Sequence, residues 1–354
     1  MKTQIIKYSV VSVLVLLLAT GAWLITDYNR FLNSSVNTGQ EDMRLEVRPG
    51  QSLRSIAGDL YYHGMIEDKH VFYFRVLARL RGNAARIHIG EYLVRPGTTP
   101  AALLDQLSSG KVMLYSQTII EGWRFRQMIA SLRQNPAIVK TVLDKSDQEI
   151  MAAIGHPEQH PEGRFLPETY RFPKGTRDTD FLKRVYDAMA TELNRQWQAR
   201  AKNTNYPLET AEEMLILASI VEKETGVTEE RPQIAGVFIR RLLKNMRLQT
   251  DPTVIYGMGD KFKGNLRRRD LRRDTPYNTY TRKGLPPTPI ALPGRGSLYA
   301  VGHPDDSKTL YFVARGDGRH KFAETLDQHN NNVIKYQLGG RARPFSSMPA
   351  NKKK

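Results

Sequence analysis

The chain contains no cysteine. That excludes disulfides, thiolate metal sites, a thiol nucleophile and a lipid-modified N-terminal cysteine. Acid is scarce too: 36 aspartates and glutamates stand against 53 lysines and arginines in 354 residues, a formal net charge of +17. This balance points to anionic partners, and charge alone admits nucleic acid, acidic lipid headgroups and carboxylate-rich polymers equally. Hydrophobic residues at 40% and charged residues at 25% are ordinary globular values, which excludes wholesale disorder. The length allows two or three modest domains.

Charge is absent altogether from YSVVSVLVLLLATGAWLI, the 18 residues from Tyr8 to Ile25. As a helix this run covers about 27 Å, enough for a hydrocarbon core. A cleaved signal peptide is the rival reading, but its apolar core is usually shorter and ends at an A-x-A-like site. Here the run continues through Trp23, an interfacial residue type, so an uncleaved anchor is expected over residues 1–26. Lys2 and Lys7 favour a cytoplasmic N-terminus, which puts everything after Asp27 outside the cytoplasm. Nucleic acid is therefore not an expected partner.

Residues 27–42 are polar and aperiodic and read as a tether. From Met43 to Lys111 the same grammar occurs twice. A short strand (Leu45 to Val47) meets a Pro49-Gly50 turn, and Ser52 is placed to cap a helix carrying Leu53, Ile56, Ala57 and Leu60. In GEYLVRPGTTPAALLDQLSSGK a strand runs into Pro96-Gly97, then into a helix with Leu103, Leu104 and Leu107. The pair resembles a small α+β, LysM-like glycan-binding module over residues 43–111; a generic α+β spacer is the alternative. Residues 112–206 read as a mixed connecting region. It holds His156, Glu158 and His160, but Pro157 and Pro161 oppose the helix an i, i+4 histidine pair needs, so no metal site is expected. Residues 207–340 are the densest in signals, and 341–354 read as a basic flexible tail.

The stretch ASIVEKETG, Ala218 to Gly226, sets two glutamates at the end of an apolar helical run. Thr210 and Glu213 form a capping box that opens the helix, and Gly226 is placed to close it. Met214, Leu217, Ala218 and Val221 share one face. On a wheel, Glu224 lies roughly 50° from the centre of that face, Glu222 roughly 105° and Lys223 roughly 150°. A carboxyl on the buried side is either paired with a cation or raised in pKa, as a general acid requires. The wheel ranks Glu224 above Glu222 and leaves the salt bridge open.

Downstream, Asp251-Pro252 reads as an N-cap followed by proline in the first helical position. TPYNTYTRKGLPPTPIALPG, Thr275 to Gly294, has prolines at 286, 287 and 289 and must be an extended wall. It offers Tyr277, Asn278, Thr279 and Tyr280, flat rings beside amide and hydroxyl groups that suit a sugar chain. A strand, LYFVAR, follows at Leu310 to Arg315. The cluster RRRDLRRD (Arg267 to Asp274) reads either as a solvated face or as a ligand site.

IVEKET, RLQTDPTVIYG, YNTYT, GLPP, His303-Pro304, LYFVA and the closing QHN occur in this order. With the anchor and the LysM-like part they resemble the endolytic murein transglycosylases, the MltG or YceG-like family, across essentially the whole chain after the tether. Arg164, Thr288, Leu292 and Arg315 depart from the family pattern, none of them on the glutamate helix. The resemblance implies an α+β protein with an N-terminal transmembrane anchor, a LysM-like module and a mixed α/β catalytic domain, without cofactor.

It further implies cleavage of the MurNAc-β-1,4-GlcNAc bond within glycan strands to leave 1,6-anhydro ends, with Glu224 as acid and then base. Glu222, Gln249, Asp251, Thr253, Tyr277, Asn278 and Tyr280 are the substrate-binding candidates. The implied partners are peptidoglycan, the cytoplasmic (inner) membrane and penicillin-binding synthases. Two alternatives stand beside this reading: a muramidase using Glu224 with Asp251, and a non-catalytic wall-binding scaffold.

Overall fold

The computed structural model describes residues 2–201 and 206–341; the expected basic tail beyond Arg341 lies outside them. Contacts divide the chain into two units. One holds the residues up to 115 together with 171–175; the other holds 116–170 and everything from 176. The fold is mixed α+β.

The first unit opens with α1 (Lys2–Asn33). Its segment from Lys7 is long and apolar enough to cross a membrane, with a mean hydropathy of 2.2 over its best window, and Tyr8 to Leu18 stand exposed. The helix does not stop at residue 26. It runs through the stretch expected to be tether, because Tyr28, Phe31 and Leu32 are spaced i, i+3, i+4 and pack on the core of this unit. Phe31 is 1% exposed, its ring 4.8 Å from that of His70. Beyond the helix, Val36 N bonds Thr98 O and Asn37 N bonds Met65 O, each at 2.8 Å, so this part of the linker is docked as well.

The repeated strand–turn–helix grammar forms as written. β1 (Met43–Val47) leads through Gly50 (φ +78°) to α2 (Leu53–Tyr62), where Ser52 Oγ accepts from Ser55 N. α3 (Asp68–Leu80) intervenes, then β2 (Gly90–Val94) leads to α4 (Pro100–Ser108), capped by Thr99. β1 and β2 pair antiparallel with Leu45 opposite Tyr92, which turns Leu45, Val47, Tyr92 and Val94 into the core with Leu103, Leu104 and Leu107. Gly90 is required there: its φ is +144°, and a Cβ would sit 2.7 Å from Val112 Cγ1. Lys174, in the short return of the chain, ion-pairs with Glu46 and with the buried Glu91, which also takes the Tyr115 hydroxyl.

β3 (Leu114–Thr118) carries the chain out of the first unit. In the second, α5 (Phe125–Gln134), β4 (Ile138–Val139) and α6 (Asp147–Ala153) follow; β5 (Thr169–Pro173) takes the chain back to the first unit from residue 171, and β6 (Thr176–Arg177) and α7 (Asp178–Ala199) belong to the second again. Next come α8 (Ala211–Glu224), α9 (Arg231–Leu243), α10 (Asp251–Met258), α11 (Arg268–Arg272) and α12 (Arg295–Gly302). An antiparallel hairpin, β7 (Tyr311–Ala314) and β8 (His320–Ala323), precedes α13 (Leu326–Tyr336).

α8 packs against α7, α9 and α12. Leu166, Met189 and Leu193, from the stretch that reads as connecting, share a core with Leu217 of α8, Phe238 of α9 and Leu298 of α12. Asp178 shows how the start of α7 is seated. It is fully buried, and its carboxylate accepts from Thr141 N at 2.6 Å, Val142 N at 2.8 Å and Leu143 N at 3.2 Å. Burial pushes that carboxyl up, but the hydrogen bond from the Thr141 hydroxyl, with these backbone bonds, outweighs it and holds the pKa below the usual value.

Candidate active site

α8 begins with the capping box read from the sequence: Thr210 Oγ1 accepts from Glu213 N, and Glu213 reaches back to the N–H of Thr210. Its end differs from expectation. The helix stops at Glu224, and its cap is Thr225 in an extended conformation (φ −144°, ψ 137°), with Thr225 N bonded to Val221 O. Gly226 adopts no left-handed conformation, so its lack of a Cβ is not what ends the helix. Because neighbouring helices cover more than one side, all eight residues from Met214 to Val221 are buried. A single apolar stripe therefore does not separate the two glutamates; their partners do.

The Glu222 carboxylate is saturated. It takes Arg231 Nη2 at 3.1 Å, Gly294 N at 2.9 Å and Ser297 Oγ at 2.8 Å, and its side chain is 5% exposed. Gly294 is the cap of α12, so the carboxylate satisfies a free N–H at the positive end of that helix. Arg231 also reaches Glu121 at 3.0 Å. Glu222, a substrate-binding candidate, thus brackets α8, α9 and α12.

Glu224 is half-buried, and among the described residues its carboxyl has one hydrogen-bond partner, the hydroxyl of Thr250, which donates to Oε1. Burial pushes its pKa up to about 7; the Thr250 hydrogen bond lowers it, the Asp251 charge raises it, and His320 and Arg241 lower it. The residue as a whole keeps some exposure, while its carboxyl lies in a dense shell that raises the pKa.

Thr250 caps α10, so that helix begins one residue earlier than the sequence suggests, with Asp251 in the first helical position. Asp251 makes a different contact: Tyr280 donates its hydroxyl to Oδ1 at 2.6 Å. Two segments distant in sequence are fastened here. Gln249 N bonds Thr279 O at 3.1 Å, Thr250 N bonds Thr279 Oγ1 at 3.1 Å, and the Thr253 and Thr279 hydroxyls lie 2.9 Å apart. Gln249 is exposed at φ +51°, a left-handed backbone unusual for a side-chain-bearing residue.

The tertiary structure thus gathers Glu224, Gln249, Asp251 and Tyr280. Three other candidates make contacts within the surrounding framework. Thr253 is fully buried beneath Thr250. Asn278, 1% exposed, donates to the carbonyls of Asp270, Leu271 and Arg273 and accepts from Tyr280 N. Tyr277 bonds Thr288 at 2.9 Å and packs its ring 4.9 Å from Tyr256.

Several contributors were not singled out from the sequence. Thr250 lies inside RLQTDPT between two named candidates, and nothing local shows that its hydroxyl points away from its own helix. Arg241 is buried, bonding Leu310 O and Leu248 O at 2.7 Å each, and a cation on the apolar face of α9 was the readable signal. His320 is held by Glu230 through both its backbone N–H and Nδ1. Glu162 is a second carboxyl raised by burial to about 7, but it accepts from Phe125 N at 2.9 Å where α5 starts. His156 stacks on Tyr186, and His160 accepts from Glu162 N.

Residues 45–335 match the YceG-like family. The chain is 32% identical over 311 residues to the endolytic murein transglycosylase of Bacillus subtilis (strain 168), covering 83% of this chain and 84% of that protein. It is 26% identical over 367 aligned positions to the endolytic murein transglycosylase of Streptococcus pneumoniae serotype 2, covering 94% of this chain and 65% of that one. A crystal structure of a YceG-like protein from Listeria monocytogenes matches at a TM-score of 0.51 and 27% identity, over 83% of this chain and 99% of that one. A match of this extent, through the glutamate helix and both segments fastened to it, means that the chain belongs to the YceG-like family.

Proposed function

We propose that this protein is a lytic transglycosylase that cuts the MurNAc-β-1,4-GlcNAc bond within peptidoglycan strands, with Glu224 as the catalytic residue. The relatives named above carry that activity in their names. The observation that carries the residue assignment is the Glu224 carboxyl, raised to about 7 by burial and partnered by Thr250. A carboxyl with that pKa is protonated in a large fraction of molecules near neutral pH and can give up its proton.

In this reading Glu224 protonates the glycosidic oxygen as the C1–O bond breaks. The resulting carboxylate then takes the proton of the C6 hydroxyl of the same muramic acid, whose oxygen closes onto C1 to form the 1,6-anhydro ring. The attacking group is part of the substrate, so no second protein carboxylate is required to prepare a water. Thr250 holds the carboxyl in one orientation through both steps. Asp251, tethered by Tyr280, supports the second reading: a muramidase in which it activates water opposite Glu224.

We further propose that α1 anchors the protein in the cytoplasmic membrane with Lys2 and Lys7 inside, and that residues 43–111 act as a LysM-like glycan contact. A penicillin-binding synthase supplying nascent strands remains the proposed partner. Digestion of purified glycan strands by wild-type and Glu224→Gln protein, followed by mass spectrometry, tests the core of the reading. Anhydro ends from wild type and none from the variant are expected; reducing ends would replace the transglycosylase with the muramidase.

A further inference from the structure

The segment after α10 encloses a cavity of about 510 Å³. Its wall carries Lys261, Lys263, Arg267, Arg269 and Arg273 against one acidic residue, Asp270. Asp270 is engaged locally, accepting from Arg267 N at 2.9 Å and lying 3.8 Å from Arg269 Nε. Lys261, Lys263, Arg267 and Arg273 form no ion pair among the described residues. Like charges gathered in a concavity repel one another and focus a positive field into it, an arrangement that an anion relieves. Guanidinium groups engage carboxylates through paired, parallel hydrogen bonds.

The cavity is fastened to the candidate active site. Val254 and Gly257 of α10 form part of its lining, and Gly257 approaches Tyr277 so closely that a Cβ would lie 2.8 Å from the tyrosine Cβ. Asn278 clamps the carbonyls of Asp270, Leu271 and Arg273. The start of α10, beside Glu224, is about 10 Å along the helix from its end at the cavity. Three extended peptide residues span about 10 Å. An enzyme cutting within a strand meets the same neighbour at every cut only if that neighbour recurs on each disaccharide. The peptide branch on muramic acid recurs in that way, and its carboxylates match the cavity in charge; a diphosphate occurs once, at a lipid-linked end.

We propose that this cavity binds the carboxylates of the peptide branch on the muramic acid next to the scissile bond, making the enzyme prefer peptide-bearing over bare glycan. This rests on the proposed transglycosylase reading. The test compares full-length wild type with a Lys263→Gln/Arg267→Gln/Arg269→Gln variant and with Arg269→Glu alone, an exposed position, each checked for an unchanged thermal midpoint. Substrates are glycan strands with their peptides and the same strands stripped of them by an amidase.

Wild type should show a KM about tenfold lower on peptide-bearing strands, and the variants should lose this preference with kcat unchanged. Raising salt to about 0.5 M should erase the preference in wild type. Equal preference in wild type and triple variant overturns the proposal. Binding of a fluorescent free stem peptide, by polarisation, separates this proposal from the catalytic one. It should bind wild type and Glu224→Gln alike and fail to bind the triple variant, whether or not cleavage is seen. Absence of peptide binding to wild type, or binding of inorganic pyrophosphate in its place, overturns the carboxylate assignment.

Discussion

Thr250 donates its hydroxyl hydrogen to Glu224 Oε1, joining the cap of α10 to the last residue of α8. The bond orients the carboxyl at the end of that helix. It also restrains the rise in pKa that burial imposes, leaving the group near 7.

Replacing Glu224 by Gln should lower glycan cleavage by at least about 10²–10⁴-fold, the range for losing a positioned acid–base group. The folded state should not suffer. A carboxyl raised from 4.5 to about 7 contributes stability that is full below pH 4.5 and lost as pH rises through about 7. The variant should therefore melt several degrees above wild type at pH 8 and lose that advantage at pH 4. Differential scanning calorimetry at the two pH values checks this; a lower midpoint at pH 8 would contradict it.

Activity should fall as pH rises through about 7, as Glu224 loses the proton it must donate. Asp251→Asn removes a charge that raises this pKa, so the alkaline limb of kcat/KM should move to lower pH. Thr250→Val removes a hydrogen bond that lowers it, so the limb should move to higher pH, with a fall in kcat from the lost orientation. Opposite displacements in the two variants are the expected signature; displacement in the same direction would separate this limb from Glu224.

Glu222→Ala leaves Arg231 without its buried partner and frees donors at Gly294 and Ser297. A cost of about 3–5 kcal/mol is expected, read from denaturant unfolding. Folded protein should keep the wild-type alkaline limb. A displaced limb with normal stability would make Glu222 part of the chemistry.

Truncation should reveal where the packed part of α1 begins. Removing residues 1–26 leaves Tyr28 and Phe31 to pack on the first unit, and its thermal midpoint should hold. Phe31→Ala in the same truncated chain should cost about 3–5 kcal/mol, as for other buried phenylalanines. Equal midpoints would mean that the segment after residue 26 is a tether after all.

Local periodicity and caps carried much of this structure. Ser52, Thr99 and the Thr210–Glu213 box each cap the helix they precede, because an N-cap needs only residues within one turn. The extension of α1 was equally legible in the spacing of Tyr28, Phe31 and Leu32, but its polar surroundings masked it. The helix wheel could not by itself tell the environments of the two glutamates apart, for a different reason. A wheel assumes one buried face, and α8 is covered by α7, α9 and α12 together.

The sequence by itself determined the anchor-length apolar run, the helix under the glutamates and the family motifs that draw attention to Glu224. Those signals are short-range or directly readable, requiring no knowledge of what packs where. Only the folded chain shows that Glu222 is satisfied by three donors from elsewhere in the sequence, while Glu224 is buried against the Thr250 hydroxyl. Both are glutamates at one helix end. A carboxyl's pKa and availability depend on the donors and the burial that distant segments bring to it, and those arrive only when the chain folds.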